Sequence, residues 1–103
     1  MVWIQEAVRL KVYEVSSHAY AECEDENILI SDALHALMAG EILEQYAERD
    51  DVRGVSGLVL GRCSNGQAIH IVVAKTPKGR LRIVTVYLPK LPKWIDERTR
   101  RQK

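Results

Sequence analysis

The sequence predicts an α+β domain in which N-terminal helices pack on a mainly antiparallel sheet of four to five strands. Two observations carry this. Helical spacing and cap residues dominate the first forty residues, and three long β-runs dominate the second half. The turns between those runs are too short for anything but hairpins, so the order is α-β-α-α-β-β-β-β.

Each element has its own signal. Trp3 to Leu10 places Trp3, Ile4, Ala7, Val8 and Leu10 at helical spacing. Lys11 to Val15 alternates and carries β-formers, predicting a short strand. Ser16-Ser17 offers a hydroxyl cap to a helix over His18 to Glu26. Acidic residues crowd the last turn of that helix, the wrong end for anions, so it is expected to fray or to meet a basic partner. Asn27 suits the left-handed conformation that ends helices. Ser31-Asp32 is expected to cap the next helix, whose apolar stripe is Ala33, Leu34, Leu37 and Met38 and which Gly40 stops.

Glu41 to Tyr46 reads as a strand and Ala47 to Gly54 as a loop. The closing β-runs are Val55 to Cys63, Ala68 to Lys75 and Leu81 to Leu88. Asn65-Gly66 joins the first two as a pair suited to positive φ at both positions. Thr76-Pro77-Lys78-Gly79 joins the next two by similar chemistry. Beyond Pro89 and Pro92, Trp94 to Arg101 is a last helical turn or a loose basic tail.

At 103 residues the chain is expected to be one domain over 1–103, with 95–103 as a basic C-terminal tail. Its 47% hydrophobic and 28% charged residues exclude a disordered chain, and no apolar run approaches a membrane span. Glu6 follows the start at once, without the basic-then-apolar pattern of a secretory signal, so a cytoplasmic protein is expected. Cys23 and Cys63 follow no ligand spacing and the three histidines are scattered, which predicts structural thiols and no metal or cofactor.

Charge is segregated. Residues 1–54 hold 12 acidic and 4 basic side chains, and residues 75–103 hold 10 basic and 2 acidic ones. A basic half of this kind suits nucleic acid or an acidic partner, or simply attracts the acidic half.

No phosphate loop, nucleophile elbow or paired-cysteine motif is present. His70 alternates against Ile69, Ile71 and Val73 and shares a face with Val72, as a satisfied structural histidine or as a proton carrier. On the last strand, alternation sets Arg82, Val84 and Val86 against Ile83, Thr85 and Tyr87. Tyr87, beside Lys90 and Lys93, is either a phosphate-binding or proton-moving phenol or a half-buried aromatic. His18 opens a helix where a phosphate could rest on amides, but a surface pair with Glu22 is the simpler reading.

Several segments recur together in one known family: Ser17-His18-Ala19, Gly40-Glu41-Ile42 with Tyr46, Leu58-Val59-Leu60-Gly61, Ile69-His70-Ile71-Val72-Val73, and Val84 through Pro89 with Trp94. Over roughly residues 4 to 95 the chain resembles the domain-of-unknown-function-4258 family, whose members resemble RelE/ParE-type toxins. The resemblance implies a metal-independent endoribonuclease that cleaves mRNA, acts on RNA or the ribosome, and is held by an antitoxin. It makes His70, Tyr87 and Lys90 the catalytic candidates, and Arg82, Arg80, Lys93 and His18 the candidates for holding phosphate. Cations between Lys75 and Arg101 are then expected around His70 and Tyr87.

The chain departs from the family pattern in its first long helix. Positions usually Arg hold Glu22 and Glu26, the Met position holds Cys23 and the Gly position holds Asn27. That exchange of cations for carboxylates keeps open a catalytically inactive interaction module binding an antitoxin-like partner. A ParE-like gyrase inhibitor shares the same fold.

Overall fold

Residues 2–46, 56–89 and 97–98 are described by the computed structural model of the chain. The order is α1 (Val2–Arg9), β1 (Tyr13–Val15), α2 (Ser17–Asp25), α3 (Ile30–Met38), β2 (Glu41–Tyr46), β3 (Ser56–Arg62), β4 (Ala68–Lys75) and β5 (Leu81–Tyr87). The sheet has five strands in the order β1-β5-β4-β3-β2. Its four later strands are antiparallel, and β1 joins β5 in parallel. The fold is therefore α+β with a mixed, mainly antiparallel sheet, as the sequence predicts. The expected loop over Ala47 to Gly54 lies outside the described residues, as does all of the 95–103 tail except Glu97 and Arg98.

Helix ends show where local chemistry differs from the sequence expectation. Lys11 does not begin the strand. It takes a left-handed φ of 60°, with Lys11 N–H bonded to Val8 and Val12 N–H to Ala7, which satisfies the carbonyls that α1 would otherwise leave bare. The same double closure ends α2: Asn27 has φ 57°, Asn27 N–H bonds Glu24 and Ile28 N–H bonds Cys23. Ile28 is buried there, so the end of α2 is closed by its own backbone and packed against the core. At its start, Ser16 Oγ accepts from Ala19 N–H at 3.0 Å and donates to the Val84 carbonyl at 2.8 Å. One hydroxyl thus caps the helix and ties it to β5.

α3 begins two residues earlier than a cap at Ser31 implies. Leu29 is its N-cap without a side-chain bond, so Ser31 and Asp32 lie in the first turn rather than capping it. Asp32 still opposes the positive end of the helix dipole there. The buried stripe is Ala33, Ala36 and Leu37, while Met38 is exposed. Small side chains on α2 and α3 let both helices lie close to the sheet. Gly61 marks the tightest approach: a Cβ added there would sit 2.5 Å from the Ala36 carbonyl oxygen.

Both hairpins are three-residue loops with glycine in the left-handed region. Gly66 has φ 88° and bonds Cys63, and Gly79 has φ 81° and bonds Thr76. Asn65 does not share the positive φ expected of it. Its Oδ1 accepts from Gln67 N–H at 2.9 Å instead, and only the third loop position needs glycine.

Two register shifts decide which side chains share a face. Between Ile42 and Glu44 the β2 strand carries one extra residue against β3. On β5, Val73 pairs Ile83 while Val72 pairs Thr85, so Val84 is the extra residue. Ile83 and Val86 consequently both face the helices and are fully buried. Arg82, Thr85 and Tyr87 share the other face, which corrects the simple alternation. The main core lies between helices and sheet, around Leu37, Val59, Ile69, Ile71, Ile83 and Val86. Each such aliphatic side chain contributes ~1.5–3 kcal/mol by leaving water.

Candidate functional site

Antiparallel pairing sets His70 directly opposite Tyr87 on the sheet face away from the helices. The rings meet edge to face, with centroids 5.2 Å apart and planes at 67°. His70 Nε2 lies 2.7 Å from the Glu97 carbonyl oxygen, and Nδ1 lies 3.2 Å from the Tyr87 hydroxyl. A carbonyl only accepts, so Nε2 carries a proton. In the neutral ring Nδ1 is then the acceptor, and the Tyr87 hydroxyl donates to it.

His70 is fully enclosed, at 0% exposure, together with Leu58 and Leu60 on the same face. No helix covers them among the described residues. Glu97 and Arg98 lie across this face, where Glu97 pairs with Arg62 and Arg98 with Glu41. The Arg98 guanidinium holds the Glu41 carboxyl below the usual range, against the opposing push of desolvation.

The other end of the same two strands carries the cations. Lys75, Thr76, Lys78, Arg80 and Arg82 line a groove of ≈ 590 Å³ with Glu14. Arg80 donates to the Tyr13 carbonyl at 2.9 Å, and Arg82 pairs with Glu14 at 3.2 Å. Parallel register sets Glu14 beside Arg82, so among the described residues β1 supplies the one carboxylate of the groove. Lys75 and His70 are five residues apart along β4, about 17 Å at ~3.4 Å per residue. The described cations of the hairpin therefore do not gather around His70 and Tyr87, contrary to expectation. Lys90 and Lys93 lie outside the described residues.

Sequence reasoning did not single out Lys75, Lys78 or Glu14 for this groove, nor Arg62 and Glu97 near His70. The hairpin cations had a signal in the basic count after residue 75. The Glu97 contact had none, because it joins residues 27 positions apart. Cys23 and Cys63 are buried free thiols. Burial pushes both thiols up, with the Glu22 charge adding for Cys23 and that of Asp32 for Cys63. Among the described residues no group of three or more His, Cys, Asp or Glu is placed to hold a metal ion. No helix among them is long and apolar enough to cross a membrane.

A family described as a domain of unknown function (DUF4258) matches residues 15–88. The chain belongs to this family. The DUF4258 span takes in α2, α3 and the antiparallel strands, and leaves α1 and residues 97–98 outside it. No curated protein and no solved structure matches the chain significantly.

Within this DUF4258 domain Glu22 of α2 has a structural task. β1 covers only Leu81 to Ile83 of the outer edge of β5. Beyond it, Glu22 Oε1 accepts from Val86 N–H at 2.9 Å and lies 3.4 Å from His18 Nε2. Glu22 thus closes a strand edge, and His18 is part of an exposed surface pair rather than of either cluster on the sheet. Glu22→Arg is expected to lower unfolding free energy by about 2 kcal/mol, because the Val86 amide loses its acceptor. Glu22→Gln, which keeps an amide oxygen, should retain most of the stability. Chemical denaturation of the three proteins checks this, and equal midpoints would refute the assignment.

Proposed function

We infer that this DUF4258 domain is a toxin-like, metal-independent endoribonuclease of the RelE/ParE type that acts on mRNA. The observation that carries it is the Val84 bulge, which sets Arg82 and Tyr87 on one sheet face with His70. The cationic groove and the Tyr–His pair then lie along one track, suited to an extended strand whose phosphates rest on Lys78, Arg80 and Arg82.

The chemistry follows from the pair. The ribose 2′-hydroxyl attacks the adjacent phosphorus and gives its proton to the Tyr87 oxygen, as Tyr87 passes its own to His70 Nδ1. The P–O5′ bond breaks, leaving a 2′,3′-cyclic phosphate and a 5′-hydroxyl once the departing oxygen gains a proton from Lys90 or water. Arg80 and Arg82, at the other end of β5 from Tyr87, hold neighbouring phosphates of the same strand and so position the one under attack.

The test incubates a labelled single-stranded oligoribonucleotide with the pure protein. Cyclic-phosphate ends are expected with wild type and absent with Tyr87→Phe, whose binding should be unchanged. Lys78→Gln with Arg80→Gln should weaken binding and lower the salt slope by about 1.4, at ~0.7 per phosphate contact on a single strand. Unimpaired growth of bacteria expressing high levels of wild-type protein, with intact transcripts, would sink this reading.

A second reading has its own observation. His70 is enclosed and both its nitrogens are engaged, which suits a structural histidine in a non-catalytic module that binds an antitoxin-like protein. Absence of cleavage together with a stable protein complex would favour it.

A further inference from the structure

We propose that the hairpin end of the sheet holds an acidic protein segment, anchored by one large apolar side chain in a pocket beside the cationic groove. The pocket, ≈ 190 Å³, lies on the helix side and is lined by Trp3, Ile42, Val59 and Val73, with Gln45 and Lys75 at its margin. Trp3 is 39% exposed and Ile42 37% exposed, so an apolar rim faces solvent around a cavity sized for a single side chain. The second bulge positions it: the shift at Leu43 turns Ile42 and Gln45 to the helix side opposite Val59 and Gly57.

Two features identify the occupant. Ala74 and Lys75 line both this pocket and the cationic groove, so the two hollows meet around the end of β4. Lys75 Nζ lies 5.5 Å from the Trp3 ring centroid, setting a cation at the lip of the apolar pocket. Past that lip stand Lys78, Arg80 and Arg82, against Glu14 as the single carboxylate among the groove's described residues. An apolar pocket continuous with four cations is complementary to a chain carrying one Leu-like or aromatic side chain next to several carboxylates. A phosphate backbone would use the cations and leave the pocket empty. The proposal goes beyond the RNA reading and holds whether or not the domain cuts RNA.

The test measures fluorescence anisotropy with two labelled acidic peptides, Glu-Asp-Glu-Leu-Glu-Glu-Asp and the same sequence with Ser for Leu. The Leu peptide is expected to bind at least tenfold tighter. Ile42→Gln should abolish that preference while leaving the Ser peptide unaffected, and Lys75→Gln with Lys78→Gln should weaken both. Thermal melting of each variant shows that it is folded. Equal binding of the two peptides by folded wild-type protein overturns the proposal. If an oligoribonucleotide then binds in a manner that depends on Lys78, the groove serves RNA alone; if neither probe binds, both readings fail.

Discussion

Gly61→Ala is expected to destabilise the protein by about 3 kcal/mol or more, the upper end for overpacking. A Cβ on Gly61 meets backbone and Cβ atoms of Ala36 at 2.5–2.8 Å. None of these is the far end of a flexible side chain, so α3 must move off β3 as a body. Alanine in a strand recovers ~0.5–1 kcal/mol over glycine, too little to offset the clash. At ~4–8 °C per kcal/mol for a chain of this size, the melting temperature should fall by about 12 °C or more. Gly66→Ala is the control. Its φ of 88° strains any side chain, yet nothing lies within 4 Å of an added Cβ, so about 1 kcal/mol is expected. Similar losses for both variants would mean that backbone freedom, not the α3–β3 approach, explains Gly61.

His70→Ala should cost about 3 kcal/mol as well, for a different reason. The ring is fully enclosed and engages Tyr87 and the Glu97 carbonyl, so its removal opens a cavity and leaves two polar groups to find new partners. Tyr87→Phe removes the part-buried hydrogen bond to His70 and should cost about 1 kcal/mol. Urea titration of the two variants separates these values; a near-neutral His70→Ala would show that Glu97 is not seated on the ring. The contrast bears on any growth assay. Loss of activity in His70→Ala does not distinguish lost chemistry from lost fold, and Tyr87→Phe does.

The fold was legible wherever a short-range pattern determined the outcome. Ala68 to Lys75 alternates over a full strand, and the two hairpins carry their turn residues in place, so the antiparallel meander follows from local sequence. Ser16 and Asn27 announce the two ends of α2 by the same logic. Lys11 misled because lysine is an uncommon left-handed terminator, and Val12 after it has a strand-like side chain. Leu29 misled because a helix can start without a side-chain cap when its first turn is held by packing. The Val84 bulge left no mark in composition, so counting by twos put Arg82 and Tyr87 on opposite faces. The His70–Tyr87 pair, the Glu14–Arg82 pair and the Glu97 contact each depend on register between distant segments. Charge counting revealed that a cationic surface exists, but its location at the β4–β5 turn came only with the sheet.

The parallel pairing of β1 with β5 sets a timetable for making this protein. Tyr13 to Val15 acquire their partners only when Leu81 to Ile83 have been synthesised, and Ser16 and Glu22 bond Val84 and Val86, which come later still. Elements born first thus wait for the last strand, unlike a chain whose N-terminal part folds as it emerges. Until then the nascent chain presents its acidic portion in an unfinished state, open to chaperones and proteases. Messages truncated before β5 would yield products in which β1 and α2 lack their partners on the sheet, and so short-lived ones.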